Sequence, residues 1–212
     1  PAEPLFRSSD VGRFNIYNTL GAIGAALSEG ISMETIAAAM KTFHSVPGRF
    51  ELIDEGQSFT VVVDYAHTPD GLEKILTTAQ EITKDRILVV FGCGGDRDKM
   101  KRPIMGRIAA RYADVAIVTS DNPRTEDPET IVKEVAAGVE EVKAEKPSLQ
   151  VEVVVDRRSA IQKAISLAKG DDIVLIAGKG HEDYQILKDK TIHFDDREEA
   201  RKALKESGAA RF

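Results

Sequence analysis

The chain has one cysteine, Cys93, no tryptophan and four scattered histidines. A single cysteine excludes an intrachain disulfide framework and suits a reducing compartment. Cys93 directly follows an apolar run, the setting of a small buried residue rather than of a reactive thiol. The histidines never fall into an H-E-x-x-H pattern, so no metal site is expected. No stretch reaches the ~18–20 consecutive apolar residues of a membrane span, and no membrane role is expected. Basic excess is also missing. The net charge is −6 with both signs interspersed, which argues against a nucleic-acid partner, because duplex binding needs a basic stripe. The opening Pro1-Ala2-Glu3-Pro4 lacks a basic region followed by an apolar core, so no signal peptide is expected and the expected location is cytoplasmic.

What is present is an ordinary globular balance, 42% hydrophobic and 30% charged over 212 residues. The pattern changes along the chain. Residues 15–42 read as two helices without a strand. Gly30 is suited to end the first, and Ser32 to cap the second over 33–43. Pro47-Gly48 then breaks the helical periodicity, and the domain boundary is placed there, giving domains 1–46 and 47–212. A helical pair this apolar is poorly stable alone and reads as the end of a neighbouring domain.

Beyond the break, strand and helix alternate. Strands are expected at 59–65, 86–91, 115–119, 151–155 and 173–177, with an extra edge strand at 191–194. Helices are expected at 69–82, 101–112, 128–142, 159–168 and 197–205. Unbroken Val/Ile/Leu strands imply burial on both faces, as in a parallel sheet covered by helices. The fold class is therefore α/β, a Rossmann-like doubly wound, mostly parallel sheet flanked by helices.

Chemistry concentrates where such strands end. Loops at the carboxyl ends of parallel strands line the ligand crevice of an open α/β sheet. Asp121-Asn122-Pro123-Arg124 follows one strand and Gly178-Lys179-Gly180-His181-Glu182 another. The first offers an amide and a guanidinium suited to bidentate carboxylate recognition; the second offers a carboxylate and close backbone. Together they suit a ligand with both an ammonium and a carboxylate. Simpler readings stand beside this one. Asp-Asn-Pro is good turn chemistry, Arg124 can pair with Glu126 or Asp127, and His181-Glu182 can open a helix. Gly92-Cys93-Gly94-Gly95-Asp96-Arg97 fails the dinucleotide fingerprint, since its third glycine would fall at Arg97. Gly178-Lys179-Gly180 fails the phosphate-loop pattern, since Ser or Thr must follow the lysine. In Asp64-Tyr65-Ala66-His67-Thr68-Pro69, Thr68 and Pro69 fit a helix start. That role leaves Asp64, Tyr65 and His67 unexplained.

The ordered series Gly12–Asn18, Pro47–Glu51, Asp64–Pro69, Gly92–Lys99, Asp121–Pro128 and Gly178–Gln185 resembles the Mur ligases of peptidoglycan synthesis over essentially the whole chain. Within that family it is similar to members that add meso-diaminopimelate to UDP-N-acetylmuramoyl-L-alanyl-D-glutamate. The resemblance implies a C-terminal Rossmann-like domain preceded by the last helices of a central ATPase domain. The N-terminal domain and the rest of the central one would lie outside this chain. It implies that Asn15, Arg49, Asp64, Tyr65 and His67 lie against the adenine, ribose or phosphates of ATP. Arg97, Asp121, Asn122, Arg124, Gly178 and Glu182 would hold the amino acid. The family's phosphate loop, magnesium-binding acid and carbamylated lysine have no counterpart in this sequence. ATP and Mg2+ would thus be held mostly elsewhere, with no catalytic residue in this stretch, which is expected to be inactive alone. A lysine-adding relative and a stand-alone amino-acid or nucleotide-binding module are the rival expectations. A folylpolyglutamate synthetase fits less well, because DNPR is followed by GKGHED.

Overall fold

The computed structural model describes residues 13–43 and 46–208; Pro1–Pro4 and Gly12 lie outside them. The chain separates between Val46 and Pro47 into two compact units. The smaller holds α1 (Arg13–Ser28) and α2 (Met33–Thr42). Gly30 adopts φ +78° after α1, and Ser32 caps α2 by accepting from the Thr35 amide, as glycine and serine are expected to do at helix ends. Ile36 is buried, whereas Ile16, Tyr17, Leu20 and Leu27 are exposed.

The larger unit runs β1 (Glu51–Leu52), β2 (Thr60–Asp64), α3 (Pro69–Ile82), β3 (Ile87–Phe91), α4 (Lys101–Tyr112), β4 (Val115–Val118), α5 (Pro128–Lys143), β5 (Gln150–Val153), α6 (Arg157–Leu167), β6 (Ile173–Ala177), β7 (Tyr184–Ile186), β8 (Thr191–His193) and α7 (Asp196–Glu206). The main sheet has the order β1-β2-β6-β3-β4-β5. β2, β6, β3, β4 and β5 are parallel, and β1 joins its edge antiparallel to β2. Strands β3, β4 and β6 are buried along their whole length, which is why they carry Val, Ile and Leu without polar alternation. One core layer packs Val61, Val63, Leu88, Val90, Ile117 and Ile176 of the sheet against Ile161, Ile165 and Leu204 of the helices. Full burial of each such side chain contributes about 1.5–3 kcal/mol relative to exposure.

The expected edge strand at 191–194 is corrected. Thr191–His193 pairs antiparallel with Tyr184–Ile186 in a separate two-stranded sheet. Three-residue strands leave too little alternation to assign a partner from sequence. The two-residue β1 is likewise absent from the expected strands. It forms because Ile53 N–H donates to the Val61 carbonyl, folding the 51–52 segment back on β2.

Candidate functional site

The crossover sets the site. β6, late in sequence, inserts between β2 and β3. The loops leaving β2, β6, β3 and β4 therefore come from four neighbouring parallel strands, the placement at which open α/β sheets bind ligands. These loops contain all the larger unit's expected site residues except Asp64, the last residue of β2, and Arg49, which precedes β1.

Asn122 connects the two segments that stand out in the sequence. Its backbone carbonyl accepts from Arg124 Nη1 at 3.3 Å, and its Nδ2 donates to Glu182 Oε2 at 2.9 Å. The Arg124 guanidinium also donates to the Gly95 carbonyl at 2.9 Å. Arg124 sits in the left-handed region, φ 53°, at a cost of roughly 1–2 kcal/mol. Its amide is held by the Ile186 carbonyl at 3.0 Å. Pairing of Arg124 with Glu126 or Asp127 is not realised. Glu126 is taken by Arg102 and Lys99, and Asp127 caps α5 through the Thr130 amide. The Arg124 guanidinium is thus held by carbonyls and makes no ion pair among the described residues.

Asp121 is buried, and its Oδ1 accepts from the Asn122 amide at 2.6 Å. Its Oδ2 stands where a side chain at 178 would go: a Cβ there would lie 2.7 Å away, and Gly178 has φ +126°. Space and backbone together require glycine. Arg97 is exposed in the β3 loop, donating to the Asp96 carbonyl at 3.0 Å. Among the described residues it makes no hydrogen bond to the Arg124–Glu182 cluster.

A second group gathers where the β2 and β6 loops meet the segment before β1. The Arg49 guanidinium lies 4.8 Å from the Tyr65 ring centroid. Tyr65 is 4.6 Å from His67 and 5.1 Å from His181, centroid to centroid. Gly180 permits this approach, since a Cβ there would fall 2.6 Å from the Tyr65 Cβ. Asp64 lies beneath the group. Its carboxylate is buried and accepts from the Phe50 and Ala66 amides, both at 2.7 Å. Desolvation pushes its pKa above the ordinary carboxylate value, against the pull of those two amides. Asp64 thus latches the Arg49–Phe50 turn, while Arg49 and His67 are exposed. This exposed cation beside edge-on and tilted aromatic rings is chemically suited to the base and ribose of a nucleotide. Asn15 lies on α1, in the smaller unit. Among the described residues no group of three or more His, Cys, Asp or Glu is arranged to hold a metal ion, and no helix is long and apolar enough to cross a membrane.

Three basic residues outside the expected site set are fully buried: Lys179, Arg157 and Arg102. Lys179 bonds Glu182, Asn122 and the Tyr184 carbonyl. Arg157 pairs with buried Asp196 and donates to the carbonyls of Ala177, at the end of β6, and Ser120, in the loop after β4. Arg102 pairs with Glu126 and Glu134. Only Lys179 carries a signal, its place between two glycines at a strand end; the arginines sit in helices whose charge pattern looks like ordinary solvated surface.

The family model for the Mur ligase, glutamate ligase domain, matches residues 48–180. A curated UDP-N-acetylmuramoyl-L-alanyl-D-glutamate–2,6-diaminopimelate ligase from Clostridium botulinum is 55% identical over 197 residues, covering 92% of this chain and 39% of the relative. One of the same name from Syntrophomonas wolfei is 54% identical over 195 residues, with the same two coverages. A solved structure bearing that enzyme name superposes with a TM-score of 0.73 at 38% identity, covering 96% of this chain and 40% of the other. The chain thus spans about two fifths of the length of these relatives.

Proposed function

The chain belongs to the Mur ligase family, and from that premise we propose that it is the amino-acid-binding part of an ATP-dependent, cytoplasmic ligase that adds meso-diaminopimelate to UDP-N-acetylmuramoyl-L-alanyl-D-glutamate. Residues 47–212 are read as its C-terminal domain, and 1–46 as the end of its central ATPase domain. The exposed apolar side chains of α1 support the second assignment, since they suit a helix packed against sequence outside this chain. In the whole ligase, transfer of the ATP γ-phosphoryl group to the D-glutamate carboxylate would give an acyl phosphate and ADP, and attack by the amine of the incoming amino acid would form the amide and release phosphate; Mg2+, held by residues outside this chain, would offset the phosphate charge. The residues of this chain bind and orient that amine. Such positioning is itself a large source of rate.

One observation carries the reading. Arg124, a cation without a carboxylate partner, is joined through Asn122 to Glu182, whose Oε1 takes no hydrogen bond among the described residues. That arrangement fits the second amino-acid head of meso-diaminopimelate, carboxylate on Arg124 and ammonium on Glu182 with the Gly178 carbonyl. Asp121 and Asn122 are assigned to this pocket, and Arg97 to the same ligand. L-Lysine lacks that carboxylate and would leave Arg124 unpaired. Arg49, Tyr65 and His67, beside the buried Asp64, are assigned to the nucleotide, and Asn15 of the smaller unit is assigned to the same ligand.

The test is kinetic, on the intact ligase. Losing a charged hydrogen-bond partner costs roughly 2–5 kcal/mol, about 30-fold to several-thousand-fold. Arg124→Ala is therefore expected to raise the KM for meso-diaminopimelate at least ~30-fold while leaving the KM for ATP within a factor of about two. An unchanged KM for meso-diaminopimelate would remove the assignment.

A further inference from the structure

Lys179 is a fully buried ammonium that reaches from the Gly178–Glu182 segment of the amino-acid site to Asn122 of the other. It has three N–H donors and three acceptors: Glu182 Oε2 at 3.2 Å, Asn122 Oδ1 at 3.4 Å and the Tyr184 carbonyl. The Tyr184 ring centroid lies 5.4 Å away. Every donor is therefore spent inside the protein. Lys179 cannot serve a phosphate as a phosphate-loop lysine does, and it cannot reach a ligand directly. Whatever it does for the site passes through Asn122 and Glu182.

Two consequences follow from those contacts. The first is orientation. Asn122 Oδ1 receives the Ile186 amide at 2.9 Å as well as Lys179. A flipped amide would turn its NH2 against two donors, so Nδ2 must face Glu182. Glu182 Oε2 is then filled by Asn122 and Lys179, and Oε1 is the oxygen left for a ligand. The second consequence is charge. Lys179 cancels Glu182, as Asp196 cancels Arg157 beside it. Arg124 makes no ion pair among the described residues, although the exposed Asp96 carboxylate is near enough to feel its charge. An arriving cation therefore gains a hydrogen bond to Glu182 but little net attraction, whereas an arriving carboxylate meets a guanidinium that no carboxylate yet pairs.

We infer that Lys179 is a specificity-determining, positioning residue: by aligning Asn122 and neutralising Glu182 it makes the site select a zwitterionic head over a bare ammonium. This rests on the amino-acid-binding role proposed above and adds to it a residue that biases the choice between meso-diaminopimelate and L-lysine.

The experiment uses the intact ligase and measures kcat and KM for meso-diaminopimelate together with the inhibition constant of L-lysine as a competitor. Lys179→Met removes the cation; Lys179→Gln keeps polar donors without the charge. In Lys179→Met the KM for meso-diaminopimelate is expected to rise at least tenfold, with kcat within about threefold. The inhibition constant of L-lysine is expected to stay level or fall, so preference shrinks at least tenfold; Lys179→Gln should shift in the same direction by less. Proportional weakening of both ligands, no change in either, or loss of the fold in both variants would assign Lys179 to stability alone and overturn the inference. If the unmodified ligase itself does not use meso-diaminopimelate, the underlying functional reading fails instead. The wild-type control separates the two cases.

Discussion

At the level of single residues, the site is built from side chains that serve the protein first and leave one atom over. Asn122 is the clearest case: its carbonyl holds Arg124, its amide nitrogen holds Glu182, and its amide oxygen takes two donors. The sequence reveals that Arg124 and Glu182 follow buried strands, because the apolar runs before them are plain. It does not reveal Lys179 as the support of Asn122 and Glu182, because a lysine is as common on a solvated loop as inside a site, and only three-dimensional burial separates the two. Gly178 is legible only as a small residue near a ligand; its φ of +126° and the Asp121 carboxylate against it show why nothing larger fits. Gly178→Ala is therefore expected to destabilise the larger unit by about 1–3 kcal/mol. Alanine there must strain the backbone or push the buried Asp121 aside. Thermal unfolding reads the loss as a lowered Tm, and a Tm equal to wild type would show that the β6 loop relaxes freely.

Elements differ in how well the sequence announces them. Strands of four or five buried residues, such as β3 and β6, are legible because a short continuous run of Val, Ile and Leu between turn signals is the pattern of a strand covered on both faces. β1, β7 and β8 are two or three residues long and exist through tertiary hydrogen bonds, which leave no local pattern. The β7–β8 hairpin is nonetheless important to the site, since Ile186 holds both the Arg124 amide and Asn122 Oδ1, and Gln185 donates to the Asp121 carbonyl. A second clamp joins the β3 and β4 loops. Glu126 accepts from the Asp96 amide at 2.7 Å and from buried Arg102, while Asp96 accepts from the Thr125 amide and hydroxyl. Arg102, followed by the Asp96 amide, holds the Glu126 carboxyl down from 4.5 to about 2. A depressed carboxyl stabilises the fold above its unfolded pKa and loses that contribution as pH falls through the folded one. Melting temperature measured between pH 4.5 and about 2 should therefore fall less steeply in Glu126→Gln than in wild type. Parallel curves would show that the loop clamp does not depend on the charge of Glu126.

On the scale of the whole molecule, the two units differ in what holds each together. The larger contains the six-stranded sheet, helices on its faces and an apolar core that includes Phe194, Ala200 and Leu204 of the last segment. Its domain size and internal core are those of an independently folding unit. The smaller offers helices of 16 and 10 residues with Ile36 as its buried apolar side chain among those described. Isolated helices of this length are marginal in water even with good helix formers, and the Ser32 cap contributes only about 1 kcal/mol. Residues 47–212 expressed alone should therefore unfold in one cooperative calorimetric transition. A peptide of residues 13–43 should show weak helical circular dichroism that fades gradually on heating. The peptide result discriminates most sharply: a stable helical hairpin with a sigmoidal melt would mean that α1 and α2 form a self-sufficient module, and the exposure of Ile16, Tyr17 and Leu20 would then no longer point to a missing neighbour. A weak, non-cooperative signal would instead place the stability of those helices in sequence beyond this stretch, as the proposed origin in a central ATPase domain requires.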